Sequence, residues 1–134
     1  MSVGLILITH NHIGEEVLQT AVTMLGHCPL NTEALAIGTD VQPDRCLQRA
    51  KSALSKVDQG DGVLVLTDLF GSSPSNIACR LEAEPKLRII SGLNLPMLVR
   101  VFNYAHLPLE RLADKAESGG RDGVIVSELA ATRK

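Results

Sequence analysis

The sequence predicts an α/β fold: a doubly wound, mainly parallel sheet with helices on both faces. Apolar runs of strand length alternate along the chain with stretches of helical period, which is typical of parallel strands joined by helical crossovers. The run from Gly62 to Thr67 is apolar on both alternations, as a central strand covered on both faces should be. A chain of 134 residues suits one core, so we expect a single domain over residues 1–134.

The first half of the chain contains two strand–helix pairs. An apolar run from Gly4 to Ile8 predicts the first strand, and Ile13 to Leu25 predicts a helix that Gly26 ends. Thr32 to Ile37 is a weaker strand candidate. Pro43 can open the next helix, whose apolar residues recur at spacings of three and four: Leu47, Ala50, Leu54 and Val57.

The third and fourth pairs follow the same order. The strand from Gly62 to Thr67 precedes a helix from Pro74 to about Glu82. Leu87 to Ile90 predicts a fourth strand. Asn94, with Pro96 after it, predicts the start of a helix that runs to about Tyr104.

The end of the chain predicts a helix, a turn and a short strand. Pro108 to Glu117 has helical character, and a turn is expected at Gly119-Gly120-Arg121-Asp122. Gly123 to Ser127 then predicts a short last strand. Its apolar residues need cover or pairing: Val124, Ile125 and Val126.

Composition excludes several classes of function. The formal charge of -2 and the scattered Lys and Arg residues argue against a nucleic-acid partner. The three cysteines are odd in number and form no CxxC pair, which favours reduced thiols and a cytoplasmic location. No run approaches the roughly 20 apolar residues that a membrane span requires. We therefore expect membrane contact, if any, to go through a partner.

Two predicted strands end in reactive polar residues. The first continues into Thr9-His10, and the third ends at Asp68 before a Gly-Ser-Ser turn and Ser73-Pro74. Ligands in doubly wound sheets bind beyond the carboxyl ends of strands, where connections diverge to opposite faces. If the strand order is 2-1-3-4, the first and third strands are neighbours, roughly 5 Å apart. His10 and Asp68 would then share one cleft.

An imidazole beside a carboxylate and an anion-binding turn suits phosphoryl transfer through histidine. The carboxylate of Asp68 would select the tautomer of His10, hold its ring and stabilise positive charge when the other nitrogen is phosphorylated. Backbone N–H groups of Gly71, Ser72 and Ser73, with the two serine hydroxyls, would receive the phosphoryl oxygens. This chemistry needs no Mg²⁺.

Other interpretations of the same residues remain open. His10 can be a hydrogen-bonded structural residue, and Asp68 and Ser73 an ordinary turn and helix cap. His10-Asn11-His12 has the look of a metal pair, but no third and fourth ligand stand at a recognisable spacing. We therefore predict no metal site.

Four motifs together give the chain a family resemblance. The first strand ends in Thr9-His10; the other motifs are Asp68 to Asn76 (DLFGSSPSN), Gly92 to Leu98 (GLNLPML) and Gly120 to Gly123 (GRDG). In this order and spacing, over essentially the whole chain, they resemble the enzyme IIA component of the mannose family of the bacterial phosphoenolpyruvate-dependent sugar phosphotransferase system.

The resemblance implies a phosphocarrier. By position His10 would be the phosphorylated histidine, Asp68 its carboxylate partner and Ser73 a phosphoryl contact. HPr would be the donor and a IIB component the acceptor, with the membrane components IIC and IID contacted only indirectly. No cofactor is implied beyond the transient phosphohistidine. The implied fold adds an antiparallel last strand exchanged within a homodimer, and we add Arg121 as a candidate partner contact.

Two residues depart from the family pattern. The family usually has glycine after the active histidine and two glycines before Ser-Pro, whereas this chain has Asn11 and Gly71-Ser72. Asparagine tolerates the left-handed conformation better than other non-glycine residues, so His10 need not move. The chain ends at Lys134 without a linker, which favours a stand-alone IIA over a IIA-IIB fusion.

Three alternatives to the transport relay remain. The first is a regulator in which the phosphorylation state of His10 controls a protein partner. The second is the phosphotransfer subunit of a dihydroxyacetone kinase, which resembles this family and also uses a strand-end histidine. The third is a flavodoxin-like binding module without phosphotransfer.

Overall fold

The strands of the sheet lie in the order that the sequence predicts. The computed structural model describes residues 2–40, 42–81 and 86–128. Within them, parallel strands are arranged in the order β2-β1-β3-β4. Their bounds are β1 (Gly4–His10), β2 (Thr32–Ile37), β3 (Val63–Thr67) and β4 (Leu87–Ser91). The predicted parallel sheet is confirmed, and β1 runs two residues further than expected, to His10.

Burial follows the position of each strand in the sheet. Every residue of the central strand β3 is buried, and so is all of β1 except its last residue, His10. The outer strands β2 and β4 are mostly half-buried. Runs that are apolar on both alternations therefore occupy the centre, because both of their faces are covered by helices.

The described residues form five helices. They are α1 (Ile13–Leu25), α2 (Pro43–Val57), α3 (Ser73–Cys79), α4 (Leu95–Asn103) and α5 (Leu109–Asp122). One apolar core joins α1, α4 and α5 to one face of the sheet, where Leu7 and Leu66 point. A second joins α2 and α3 to the opposite face through residues such as Ile6 and Val65. The predicted placement of helices on both faces is confirmed.

The connections that leave β1 and β3 diverge to opposite faces of the sheet. The helix after β1, α1, belongs to the first core, and the helix after β3, α3, belongs to the second. These two strands are hydrogen-bonded neighbours. Their carboxyl ends therefore form the crevice where open α/β sheets bind ligands.

Two predicted helix ends were wrong. Gly119 and Gly120 do not form a turn but lie buried inside α5. A Cβ atom on them would lie 2.7 Å from Arg100 Cβ and 2.8 Å from Met97 Cε, respectively, so both glycines permit close packing of α5 on α4. The helix predicted from Pro74 to about Glu82 ends at Cys79, and Glu82 lies outside the described residues.

The predicted last strand is not formed in the single chain. Residues 124–128 have no regular structure and pair with no strand in the described part of the chain. Because α5 continues to Asp122, the segment leaves the domain directly from a helix end. The side chains of Val124, Ile125 and Val126 are exposed to solvent, and Val126 is 96% exposed.

Among the helices described here, none is both long enough and apolar enough to cross a bilayer.

Candidate functional site

His10 and Asp68 meet at the carboxyl ends of β1 and β3. The Nδ1 atom of His10 lies 2.9 Å from Oδ2 of Asp68, and the backbone N–H of His10 donates to the same oxygen over 3.0 Å. The His10 side chain is 41% exposed, whereas that of Asp68 is only 10% exposed. Two residues 58 positions apart thus form one pair, in which the carboxylate is mostly buried and the imidazole is partly exposed. The predicted strand order requires this contact.

The pair defines the chemistry available to the imidazole. A carboxylate is an acceptor only, so Nδ1 of the neutral ring carries the proton and Nε2 keeps its lone pair. The backbone bond to the same carboxylate oxygen fixes the position of Asp68 relative to the strand end. The ring is therefore held with one nitrogen occupied and one free to act as a nucleophile.

Asp68 has a second carboxylate oxygen that makes no hydrogen bond within the described part of the chain. This atom, Oδ1, is buried. No Lys or Arg side chain pairs with Asp68 among the described residues, and its side-chain contact is with the His10 ring. The His10 ring is therefore the group that this carboxylate is placed to orient through Oδ2.

The turn after β1 is held from three sides. The buried hydroxyl of Thr9 accepts a hydrogen bond from the Gly14 N–H (2.8 Å), which ties the start of α1 to the strand. The Asn11 N–H donates to the Ile37 carbonyl at the end of β2 (2.9 Å). His12, the residue before α1, pairs with Glu15 through its own Nδ1 (2.6 Å). Together these bonds determine where His10 lies.

The turn after Asp68 brings Ser73 to the site. Gly71 has a left-handed φ of 81°, which glycine adopts at little cost. Both the N–H and the hydroxyl of Ser72 donate to the Leu69 carbonyl, the hydroxyl over 2.5 Å. Ser73 begins α3. The hydroxyl of Ser72 is thus engaged within the turn, while that of Ser73 makes no hydrogen bond within the described residues.

A cavity of about 230 Å³ opens beside the imidazole. The residues that line it come from the ends of β1 and β2 and from the start of α3: His10, Asn11, Ile37, Gly38, Thr39 and Ser73. Such a volume has room for several water-sized groups. The predicted residues His10, Asp68 and Ser73 therefore come together, with Gly71 and Ser72 in the adjoining turn.

The cavity includes residues that sequence reasoning missed. Gly38 and Thr39 follow β2, which is hydrogen-bonded to β1 and ends at the same edge of the sheet. The signal was present, because β2 was predicted and the carboxyl ends of parallel strands share one edge. The sequence did not single out Thr39, because the apolar periodicity of β2 is weak and Thr39 belongs to no motif.

Arg121 lies apart from this cavity. It pairs with Glu117 over 3.1 Å on the exposed face of α5. It lines a different groove, of about 560 Å³, together with residues of β4 and with Val124. The prediction that Arg121 contacts a partner stays a prediction.

The described residues around His12 do not form a cluster of metal ligands. Within residues 2–40, 42–81 and 86–128, no group of three or more His, Cys, Asp or Glu side chains is close enough to hold a metal ion. His12 is 74% exposed and contacts Glu15. The site therefore consists of one imidazole–carboxylate pair and a cavity lined by neutral side chains.

Known proteins resemble this chain in sequence. Residues 4–117 match the family EIIA-man, described as PTS system fructose IIA component. The chain is 29% identical over 127 residues to the PTS system mannose-specific EIIAB component of Escherichia coli strain K12, covering 92% of the chain. It spans only about two fifths (39%) of that relative's length. It is also 30% identical over 116 residues to the transcriptional regulatory protein LevR of Bacillus subtilis strain 168, covering 82% of the chain and 12% of LevR.

Solved structures show the same architecture. The mannose/sorbose specific IIA subunit of the phosphotransferase system from Enterococcus faecalis superposes with a TM-score of 0.84 at 25% identity, covering 96% of this chain and 97% of that one. A sigma-54 interaction domain protein from the same species has a TM-score of 0.76 at 16% identity, covering 90% and 92%, respectively. The second likeness concerns the fold alone.

Proposed function

Because the chain belongs to the EIIA-man family of phosphotransferase-system IIA components, we propose that it is a histidine phosphocarrier. His10 accepts a phosphoryl group from phospho-HPr and passes it to a IIB component of a mannose-type sugar phosphotransferase system. The observation that carries the proposal is the 2.9 Å contact between His10 and Asp68 beside an open cavity. A cytoplasmic location follows from these partners.

The transfer step is a displacement between two imidazoles. The Nε2 lone pair of His10 forms a bond to phosphorus as the phosphorus–nitrogen bond of the donor's phosphohistidine breaks. The electron pair of that bond returns to the donor's ring. The Nδ1 proton of His10 stays on the ring, which gains positive charge, and Asp68 stabilises that charge. The reverse displacement delivers the phosphoryl group to the acceptor.

The phosphoryl group needs donors for its oxygens but no resident cofactor. Ser73 lines the cavity, its hydroxyl makes no hydrogen bond within the described residues, and the turn formed by Gly71 and Ser72 adjoins it. Neutral donors that are already positioned stabilise an anion without reorganising during transfer. Ser73, and Gly71 through its backbone N–H, are thus the proposed phosphoryl-binding residues. The sequence prediction also named Ser72, but its N–H and its hydroxyl both donate to the Leu69 carbonyl, so we assign Ser72 to holding the turn.

Exposed apolar side chains beside the site support a protein donor and acceptor. Leu69 and Phe70 follow Asp68 directly, and Phe70 is 80% exposed although it is one of only three aromatic residues in the chain. Aromatic side chains are enriched in protein–protein interfaces, where those that become buried act as anchors. A phosphohistidine delivered to His10 arrives on a protein surface that can cover these side chains.

The decisive experiment for function is a two-step transfer assay. The chain is first phosphorylated with phosphoenolpyruvate, enzyme I and HPr, and purified from them. It is then mixed with a mannose-type IIB component. We expect the chain to lose its phosphoryl group and the IIB component to gain it, as measured by the mass of each protein after mixing. A phosphorylated chain that never transfers to IIB would contradict the relay.

A regulatory role is the second candidate, and the likeness to LevR favours it. In that case the phosphorylation state of His10 controls binding to a protein partner, with no transfer to IIB. The same assay separates the two, because a regulator stays phosphorylated when IIB is added. A partner captured by only one of the two phosphorylation states would then establish regulation.

We also propose a homodimer in which the tail of one subunit pairs with the sheet of another. The outer strand β4 pairs only with β3 in the described chain, so one of its edges is open. A groove of about 560 Å³ runs beside it. The exposed tail at Val124, Ile125 and Val126 supplies apolar side chains that an antiparallel strand on this edge would bury.

Serine in place of Val124, Ile125 and Val126 is expected to convert the dimer to a monomer. The triple variant loses most of the apolar area that the tail buries. Sedimentation velocity at micromolar concentration measures the change in mass. Met24→Ser is the control, because Met24 is also exposed but lies on α1. An unchanged dimer in the triple variant would contradict the proposed exchange.

A further inference from the structure

Asn11 has a left-handed backbone conformation, which asparagine adopts more readily than other residues with a Cβ atom but less readily than glycine. Its φ is 47°, and it is the only non-glycine residue with positive φ in the described part of the chain. The left-handed region is disfavoured for residues with a Cβ atom, and glycine adopts it at less cost. The backbone conformation at this position therefore favours glycine over asparagine, so the presence of the Asn11 side chain needs another explanation.

Asn11 nevertheless stands at the phosphoryl cavity. Its N–H is used structurally, in the bond to the Ile37 carbonyl. Its side-chain amide makes no hydrogen bond to any described residue, and the residue lines the cavity next to His10. The amide is thus free to bind a group that enters the cavity.

Thr39, which follows the neighbouring strand β2, is also a polar residue without a partner in the described part of the chain. It lines the cavity and is exposed, and its hydroxyl has no partner within the described residues. The same is true of the Ser73 hydroxyl. Three polar side chains from three different segments therefore surround the space beside the imidazole. No Lys, Arg, Asp or Glu is among the lining residues.

We propose that the Asn11 amide and the Thr39 hydroxyl donate hydrogen bonds to the phosphoryl group carried by His10. This inference rests on the proposed phosphocarrier function and deepens it. Asn11 approaches from the end of β1, Thr39 from the end of β2 and Ser73 from the start of α3, so the phosphoryl oxygens are bound from separate directions. Hydrogen bonds to an anion are stronger than those between neutral groups. The hydrogen bond from the Asn11 amide to the phosphoryl group offsets the free-energy cost of the left-handed backbone, and it forms only when His10 is phosphorylated.

The test compares Asn11→Gly, Asn11→Asp and wild type. We measure the equilibrium constant for phosphoryl transfer from phospho-HPr by intact-mass spectrometry, and stability by urea unfolding. Glycine relieves the backbone, so the unfolding midpoint stays equal or rises, while the transfer equilibrium falls about tenfold through loss of one charged hydrogen bond. Aspartate keeps the size of the side chain but places a carboxylate near the phosphoryl group, so its loss is larger than that of glycine.

Thr39 has a matched pair of its own. Thr39→Val keeps the shape and removes the hydroxyl, and we expect a loss of about tenfold. Thr39→Ser restores the hydroxyl and should recover most of the transfer. A residue that only shaped the loop would not show this difference between valine and serine.

The outcomes separate this inference from the proposed function. If wild type is never phosphorylated, the phosphocarrier function fails and the inference fails with it. If wild type is phosphorylated but Asn11→Gly and Asn11→Asp match it, the inference alone is overturned. The same holds if Thr39→Val transfers as well as Thr39→Ser. Opposite effects of Asn11→Gly on stability and transfer would support it.

Discussion

Replacing His10 with alanine is expected to abolish phosphoryl uptake from phospho-HPr. The variant lacks the Nε2 lone pair that attacks phosphorus, and none of the other residues lining the cavity contributes an imidazole. The His10 side chain is partly exposed at a strand end, so its removal should leave the sheet intact. Intact-mass spectrometry at neutral to basic pH, after incubation with phosphoenolpyruvate, enzyme I and HPr, measures the uptake.

His12→Ala is the matched control for that experiment. His12 also has its Nδ1 against a carboxylate, that of Glu15, but it does not line the cavity. We expect this variant to be phosphorylated like wild type. Labelling that persists in His10→Ala and disappears in His12→Ala would show that His12 carries the phosphoryl group. That result would contradict the role proposed for His10.

Asp68→Asn is expected to lower the rate of phosphoryl transfer by about a hundredfold or more. Asparagine keeps the size of the side chain and an oxygen that can accept from the His10 N–H groups. It has no negative charge, so the positive charge that the ring gains on phosphorylation is no longer stabilised. Rapid-quench measurement of transfer from phospho-HPr gives the rate.

The same variant should fold as well as wild type. Asp68 keeps one buried carboxylate oxygen without a partner in the described structure, so the native state already bears a desolvation cost that neutralisation reduces. We expect the free energy of unfolding to stay within about 1 kcal/mol of the wild-type value or to rise. Glu15→Gln, in the exposed His12 pair, is the control and should change neither quantity. A hundredfold loss in that control would argue against a special role for Asp68.

The central features of the fold were accessible from sequence because they depend on burial. The apolar run at Gly62 to Thr67 fills a central strand, and the strand order brings His10 to Asp68. Only the identity of neighbouring strands was needed to predict that contact, since side chains at the ends of adjacent parallel strands meet. The polar ends of the first and third strands were sufficient to predict the His10–Asp68 pair.

Features that depend on contacts between elements were predicted less well. Gly119 and Gly120 carry a local turn signal, but packing of α5 against Arg100 and Met97 determines their conformation. Thr39 lines the cavity because β2 is the neighbour of β1, and that neighbour relation, rather than any motif around Thr39, was the signal that could have found it. Local propensity is a weak guide wherever tertiary packing competes with it.

The measurement that tests the account most directly is the position of phosphorus on the phosphorylated chain. Phosphorus NMR combined with tandem mass spectrometry, both at basic pH, identifies the residue and the ring nitrogen. The geometry predicts phosphate on Nε2 of His10, because Nδ1 is held by Asp68 at 2.9 Å. Phosphate on Nδ1 of His10, on another residue or on none would contradict the proposed carrier mechanism.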